Sequence, residues 1–176
     1  MIYLESERLI VRDMNMDDFS SIHAYASMEE ILVYEVWGPN AETDTRYFLV
    51  LAMDAQKDSP RSIFELVVQL KATKKVIGGF GMRILKGNHL KANFGYIIHP
   101  DHWNNGYATE ACLLGINNLT KRYGLDMLVA TCDVRNRASK RVLEKCGMKM
   151  IKRLDQHLLM KGKMRDTFYF EKHLDH

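Results

Sequence analysis

The sequence lacks several features that would place it in a specialised class of protein. None of its apolar runs reaches the roughly 18 residues that a membrane-spanning helix needs. The opening residues, MIYLESERLIVRDM, do not show the basic and then apolar pattern of a secretion signal. Lys and Arg exceed Asp and Glu only by 25 to 22, and this net charge of +3 is too small to indicate a nucleic-acid partner. We therefore expect a cytoplasmic protein that binds neither membrane nor nucleic acid.

Cysteine is also scarce. Cys112, Cys132 and Cys146 are odd in number and widely spaced, which fits neither a disulfide framework nor a zinc site. Each lies in an apolar stretch, so we expect three buried free thiols and no bound metal. The chain has 176 residues, 47% hydrophobic and 27% charged, with no repeats, low-complexity tracts or linkers. These values predict a single domain over residues 1–176 with a core of its own.

Hydrophobic periodicity and turn residues predict the element order β-α-α-β-β-β-α-β-α-β-β. The predicted strands are 8–12, 62–70, 76–85, 91–98, 127–134, 149–160 and 164–172, with turns at KATKK, KGNH and MKGK. Four helices are predicted. The first begins after Asn15, the second runs over 43–55 with Phe48, Leu51 and Ala52 on one face, the third ends at Tyr123, and the fourth runs over 137–146. A strand-helix-strand unit over 91–134 makes its two strands parallel. We therefore expect an α/β fold with a mixed sheet.

The most informative stretch is IIHPDHWNNGYATEACLLG, residues 97–115, where a strand gives way to a helix. Three interpretations compete: a plain connector, a phosphate-binding loop and a protein-binding elbow. A helix N-terminus carries unpaired amide N–H groups and about half a positive charge, and Gly106 permits close approach of a ligand. Asn104 and Asn105 tolerate left-handed backbone, and Ala108 leaves room against the first turn. Neither a Gly-Lys-Ser/Thr loop nor a GxGxxG pattern is present, which disfavours nucleoside triphosphates and dinucleotides.

A second stretch, DVRNRASKRVLEKCGM, covers residues 133–148 and leaves the next parallel strand. Asn136 is placed to cap the following helix, Ser139 lies in its first turn, and Gly147 is suited to end it. Two neighbouring parallel strands that end in polar helix starts would face each other across a cleft. That arrangement suits a long ligand with a phosphate end and a polar amide arm.

These motifs resemble a known family. GYIIHPDHWNNGYATEA, followed about thirty residues later by NRASKRVLEKCGM, resembles the GNAT superfamily of N-acetyltransferases. ESERLIVRDM and GKMRDTFYF resemble its branch of ribosomal-protein N-terminal alanine and serine acetyltransferases. The resemblance covers nearly the whole chain. It implies the GNAT-like acyl-CoA N-acyltransferase fold and transfer of acetyl from acetyl-CoA to a primary amine by direct attack in a ternary complex. The amine would belong to a protein N-terminus or to a small molecule.

The resemblance also implies the cofactor site. Its pyrophosphate loop falls on residues 103–108, with Trp103 in place of the usual Gln or Arg. Asn105 stands where a basic residue is frequent, so one phosphate-facing charge would be missing. The strand 95–98 would pair with the pantetheine arm, and a bulge would splay it from the strand 128–134. The implied cofactor contacts are Ile97, Ile98, Trp103, Asn104, Asn105, Gly106, Tyr107, Ala108, Thr109, Asn136 and Ser139.

Direct acetyl transfer needs a donor for the developing oxyanion and a partner for the departing thiolate. The backbone N–H of Ile98 is our oxyanion candidate. Many relatives carry a tyrosine where this chain has Leu143, so we assign the thiolate to Ser139, either as an acid or as a hydrogen-bond partner of the sulfur.

Residues 34–39 have the acidic and aromatic content to receive a cationic amine, and we expect Tyr34, Glu35 and Trp37 to contact it. The alternative is a plain connection between helices with Trp37 anchored in the core. Residues that could act as the general base are His157, Asp155, Glu35 and His99.

Other functions fit the same residues. A non-catalytic acyl-CoA-binding sensor or interaction domain would need the cofactor residues alone, and a structural or nucleic-acid-associated protein would need only the fold. The closing strands could also pair two copies as a homodimer.

Overall fold

The computed structural model describes residues 1–85, 87 and 90–174. One sheet of eight strands forms the centre of the fold. The strands are β1 (Tyr3–Glu5), β2 (Leu9–Asp13), β3 (Ile63–Leu70), β4 (Val76–Leu85), β5 (Lys91–Ile98), β6 (Met127–Asp133), β7 (Lys149–Met160) and β8 (Lys163–His173). The α-helices are α1 (Phe19–Ala26), α2 (Glu42–Ala55), α3 (Tyr107–Tyr123) and α4 (Arg137–Lys145). The predicted α/β fold is therefore confirmed.

The strand order is β1-β2-β3-β4-β5-β6-β8-β7, and the parallel pair is β5 with β6, as predicted for the strand-helix-strand unit. The other paired strands that the structure describes are antiparallel. The sheet is therefore mixed. The predicted turn at 86–89 falls mainly on Lys86, Asn88 and His89, which lie outside the described residues.

Strand β1 is absent from the sequence prediction because three residues are too few for an alternating pattern to register. It pairs with β2, and the Ile2 N–H beside it donates to Asp13 Oδ2 at 2.7 Å. Asp13 also forms an ion pair with Arg61 at 2.8 Å, and both side chains are buried. A buried charge network thus fixes the start of the chain against the sheet.

Two layers of helices cover the sheet. Helix α3 contributes Cys112, Ile116 and Leu119 to the larger core on one face, where Phe64, Phe80 and Phe170 are fully buried. Helices α1 and α2 cover the other face around Ile22, Tyr25 and Leu49. The three cysteines are buried free thiols, as predicted.

The buried face of α2 differs from the prediction. Its buried residues are Thr45, Leu49 and Ala52, whereas Leu51 is 50% exposed. The predicted Phe48 and Ala52 do pack against the core, so the difference lies at Leu51. The polar Thr45 packs inward instead, and its hydroxyl lies 3.0 Å from His23 Nδ1.

Strands β7 and β8 form a long hairpin around Gly162, as the sequence indicates. Strand β7 lies at the sheet edge and is largely exposed, so the homodimer stays a prediction. Among the described residues, no helix is both long enough and apolar enough to cross a membrane.

Gly115→Val should destabilise the fold by about 2 kcal/mol, because a Cβ at this position would lie 2.5 Å from the buried Phe80 ring. Denaturant unfolding followed by circular dichroism measures the change. Asn117→Val is the matched control: it places the same side chain on an exposed position of α3 and should stay within about 0.5 kcal/mol of the parent. Equal stabilities of the two variants would contradict close packing of α3 against the sheet.

Candidate active site

The site begins where β5 and β6 part. The two strands pair only from Lys91 with Met127 to Asn93 with Val129, although β5 continues to Ile98 and β6 to Asp133. The predicted splay is present. The predicted bulge in β5 is wrong, since β5 pairs with β4 in continuous register up to Ile98. Strand β6 is instead held away by β8, with which it pairs along its whole length.

The free edge of β5 carries unpaired main-chain groups. Leu90 O accepts from Asp126 N, so the even-numbered residues of this strand direct their main chain towards β6 and the odd-numbered ones towards β4. Beyond residue 93 no strand of the described residues lies opposite, and the amides of Tyr96 and Ile98 face the gap. Ile97 is placed differently, because its main chain faces β4. Any cofactor contact from Ile97 would have to come from its side chain.

The start of α3 has the geometry of an anion site. Gly106 caps the helix with φ +79°, and Asn104 is also left-handed with φ +61°. The first helical hydrogen bond runs from Glu110 N to Gly106 O, so the amides of Tyr107, Ala108 and Thr109 have no helical acceptor. The loop before the helix is tied to β5, because Trp103 Nε1 donates to Ile98 O at 2.7 Å. This end of α3 therefore opens at the end of the gap.

Arg8 brings a positive charge to this loop that the sequence did not reveal. Its Nη1 donates to Asn105 O at 3.0 Å, and its guanidinium stacks on Tyr107 with 4.6 Å to the ring centre. An ion pair with Glu110 at 2.6 Å holds it in place. Its Nη2 lies 3.6 Å from the position of a Cβ on Gly106. Arg8 thus places a guanidinium, paired with Glu110, beside the loop in which Asn105 replaces a basic residue.

The start of α4 forms the other side of the gap. Asn136 Oδ1 accepts from Ser139 N at 3.0 Å, so the predicted N-cap is confirmed. This leaves the side-chain amide N–H groups of Asn136 as donors. Leu143, at the family's tyrosine position, is buried in the core. The cofactor contacts of Asn136 and Ser139 stay predictions.

Tyr96 places a phenol next to Ser139, which sequence reasoning missed. Burial raises the pKa of Tyr96, and a side-chain hydrogen bond with Ser139 acts in the opposite direction. The side chain packs against the core beneath α3 and α4. A tyrosine hydroxyl is therefore present beside Ser139, although it comes from β5 and not from the helix that carries Leu143.

A cavity of about 580 Å³ lies on the opposite face of the sheet, under α1 and α2. Its floor is the surface of β3, β4 and β5, where Gly79, Gly81 and Gly95 contribute no side chains. A Cβ on Gly95 would meet nothing within 4 Å. Because residues 93–97 line this cavity and Tyr96 and Ile98 also face the gap, β5 separates the two spaces.

Besides Asp44, whose Oδ2 accepts from Ala41 N at the start of α2, two carboxyl groups line the cavity. Glu65 pairs across the sheet with Gly81, and its Oε2 lies 3.0 Å from the position of a Cβ there. Gly81 in turn pairs with Gly95, so the Glu65 carboxyl lies about one strand spacing, ~5 Å, from β5. Glu35 approaches from the segment between α1 and α2. Desolvation raises the pKa of each carboxyl to about 7.

The other predicted acceptor residues are only partly brought together. Trp37 lines the cavity and is 37% exposed, so the alternative in which it anchors the core is wrong. Tyr34 stacks instead with Arg135 at the start of α4, at 5.4 Å.

Among the predicted bases, Glu35 lies in the cavity and the other three do not. His157 contacts Thr167 Oγ1 at 2.8 Å, Asp155 forms an ion pair with Arg153, and His99 Nδ1 accepts from Asp101 N. The sequence signal for Glu65 was a single acid within the apolar strand SIFELVVQL.

Comparisons with known proteins agree with this architecture. The family model described as "Acetyltransferase (GNAT) domain" matches residues 8–149. The chain therefore belongs to the GNAT acetyltransferase family, and it is an acetyl-CoA-dependent N-acetyltransferase.

The chain is 29% identical to the uncharacterized N-acetyltransferase YoaA of Bacillus subtilis over 93% of its own length and 92% of that protein. It superposes on a GNAT-family acetyltransferase from Bacillus anthracis with a TM-score of 0.85 and 26% identity, covering 98% of both chains. RimL, a ribosomal alpha-N-protein acetyltransferase solved in complex with coenzyme A, shares the fold with a TM-score of 0.87 and 13% identity over 99% of both chains.

Gly106→Asp should weaken coenzyme A binding at least tenfold, about 1.4 kcal/mol, because it places a negative charge and a side chain at the start of α3. Isothermal titration calorimetry measures the affinity.

Gly124→Asp is the matched control for this variant. It introduces the same side chain at a left-handed glycine, φ +58°, at the other end of α3 with open space around it. The two variants should lose similar stability, and the control should keep its affinity. Unchanged affinity in Gly106→Asp would rule out the anion site.

Proposed function

We propose that this protein transfers the acetyl group of acetyl-CoA to a primary amine by direct attack within a ternary complex. The observation that carries the proposal is the position of β5 between two spaces: an open gap towards β6 and a cavity under α1 and α2. A thioester in the gap and an amine in the cavity would meet at the edge of this one strand. Holding both reactants in line supplies a large part of the rate.

The gap offers the complementary groups for coenzyme A. The pantetheine amides would pair with the main chain of Tyr96, in the manner of an added strand, and the Ile98 N–H would face the thioester oxygen. The diphosphate would lie at the amides that open α3, with Arg8 close by. The side-chain amide of Asn136 would contact the pantetheine arm from the other side. The coenzyme A bound in RimL supports this cofactor.

The reaction balances with residues already in place. The amine lone pair attacks the thioester carbon, and the Ile98 N–H donates to the developing oxyanion, a contribution of about 3–4 kcal/mol. The C–S bond then breaks and the electron pair leaves on sulfur. Ser139 donates a hydrogen bond to this thiolate, with the Tyr96 phenol behind it. The proton lost by the amine passes to Glu65, directly or through water, and later to the thiolate. The products are an N-acetyl amine and coenzyme A.

An amine panel tests the function. The panel contains peptides with free N-terminal Ala and Ser and small aliphatic amines, and release of the coenzyme A thiol from acetyl-CoA is followed. At least one class should accelerate thiol release. Tight acetyl-CoA binding without acceleration by any amine would show a non-catalytic binder instead.

Ser139→Ala should lower kcat by about tenfold or more, because the thiolate loses its hydrogen bond. Its affinity for coenzyme A, measured by calorimetry on the same sample, should change much less. Equal kcat in Ser139→Ala and the parent would remove Ser139 from the chemistry.

Glu65→Gln should reduce the rise in kcat/KM with pH, measured with a monoamine acceptor. A base with a pKa of about 7 is protonated and inactive below that pH, so the parent should gain activity as pH rises from about 6 to 8. Folding raises the pKa of this carboxyl, so its contribution to stability falls as pH rises from about 4.5 to about 7. Glu65→Gln should therefore also be more stable than the parent above pH 7. A variant with the parent's pH profile would exclude Glu65 as the base.

A further inference from the structure

Besides Asp44, which caps α2, the acceptor cavity holds two carboxyl groups. Glu65 rises from the sheet floor over Gly81, and Glu35 comes from the segment that covers the cavity between α1 and α2. A single reacting amine needs only one of them. Glu65 is the one connected to β5 through cross-strand pairs, because it pairs with Gly81 and Gly81 pairs with Gly95. Glu35 is therefore an acid that the acetyl transfer itself does not use.

In the part of the chain that the structure describes, neither Glu65 nor Glu35 forms an ion pair with a protein cation. Arg83 and then Arg61 lower the pKa of Glu65 through their charges alone, and Arg61 is already paired with Asp13. Lys161, which acts on Glu35, donates to Leu32 O at 3.0 Å.

Among the described residues, the only hydrogen bond that lowers the pKa of Glu35 comes from Trp37. Neither carboxyl contributes to the pKa shift of the other, so they form two separate sites for positive charge. The groups that face the cavity or act on its carboxyls are Tyr25, Asp44, Tyr47, Arg61, Arg83 and Lys161.

The space between the two carboxyls is apolar. Met14, Ile22 and Phe48 line it, and the glycine floor leaves it open. Trp37 and Tyr47 lie at the cavity wall, where aromatic rings attract cations as well as methylene groups. The walls therefore suit a methylene chain with a charge at each end.

We propose that the acceptor is a linear aliphatic amine with a second positive charge, whose reacting amine lies at Glu65 and whose distal ammonium is bound by Glu35. This inference rests on the proposed acetyl transfer and names its substrate class. A free amino acid is disfavoured because its carboxylate would approach Glu35. A peptide N-terminus is disfavoured because it presents amide groups, and no second charge, to the apolar walls.

Three probes with six carbons each test the inference: diaminohexane, aminohexane and aminohexanoic acid. The diamine should have a kcat/KM at least about tenfold above that of the monoamine, since it gains one charge-assisted contact, and the amino acid should be the poorest. Glu35→Gln should collapse the ratio between diamine and monoamine. Glu30→Gln, an exposed acid of the neighbouring turn, is the control that should keep this ratio.

Calorimetry of diaminohexane binding to the coenzyme A complex gives a readout that does not depend on turnover. A dication favours the ionised carboxyls, so binding should release protons and tighten as pH rises from about 6 to 8. Titrations in two buffers of different ionisation enthalpy measure the proton release. Glu35→Gln should reduce it, and pH-independent binding without proton release would overturn the inference.

The remaining outcomes separate the two proposals. Equal kcat/KM for diaminohexane and aminohexane overturns the inference and leaves acetyl transfer intact. Acetylation of a peptide N-terminus, without acetylation of any of the three probes, also overturns the inference and leaves acetyl transfer intact. Failure of every amine, peptides included, to accelerate thiol release overturns the proposed function itself.

Discussion

The early parting of β5 from β6 is the constraint on which the rest of the site depends. A buried main chain must have its polar groups paired, and an interior strand that loses its neighbour leaves a row of them open. Strand β4 holds β5 straight up to Ile98 while β8 draws β6 away, so neither strand can close the opening. A ligand with amides along its length satisfies these groups as a neighbouring strand would. The helix starts at Gly106 and Asn136 then lie where the ends of such a ligand must go.

The parts of the site predicted from sequence are those with local causes. Asn136 caps α4 and Gly106 begins α3 because each effect acts over one helical turn, which a sequence displays directly. The residues that were missed act over long distances. Arg8 reaches a loop 97 positions away, which no spacing rule can foresee. Tyr96 could be read as a core residue of its strand, but its partnership with Ser139 depends on the splay. The expected bulge failed because the opening comes from β8.

The two carboxyl groups in the cavity under α1 and α2 lower the stability of the protein without ligand. Desolvated carboxyl groups oppose folding whenever they are charged, and desolvation raises the pKa of Glu35 and Glu65 to about 7, so that both ionise as pH rises through neutrality. Perturbed acids in a cavity are more typical of functional sites than of structural ion pairs. The buried pair of Asp13 and Arg61 offers the contrast, because there each charge has its partner. The protein thus neutralises one buried acid and leaves two ready for a cation.

The residues proposed to bind the cofactor and those proposed to bind the acceptor lie largely in different parts of the chain. Under the proposed function, the cofactor is recognised largely by backbone amides and helix termini, which tolerate many side-chain changes. The acceptor is recognised by Glu65 on β3 and by Glu35, Trp37 and the first turns of α2, and the last three lie within one connecting segment and its flank. Since Gly79, Gly81 and Gly95 impose no shape of their own, exchange of that segment alone would remodel the chamber. Descendants of one ancestor could therefore adopt new acceptors while preserving an unchanged acetyl donor.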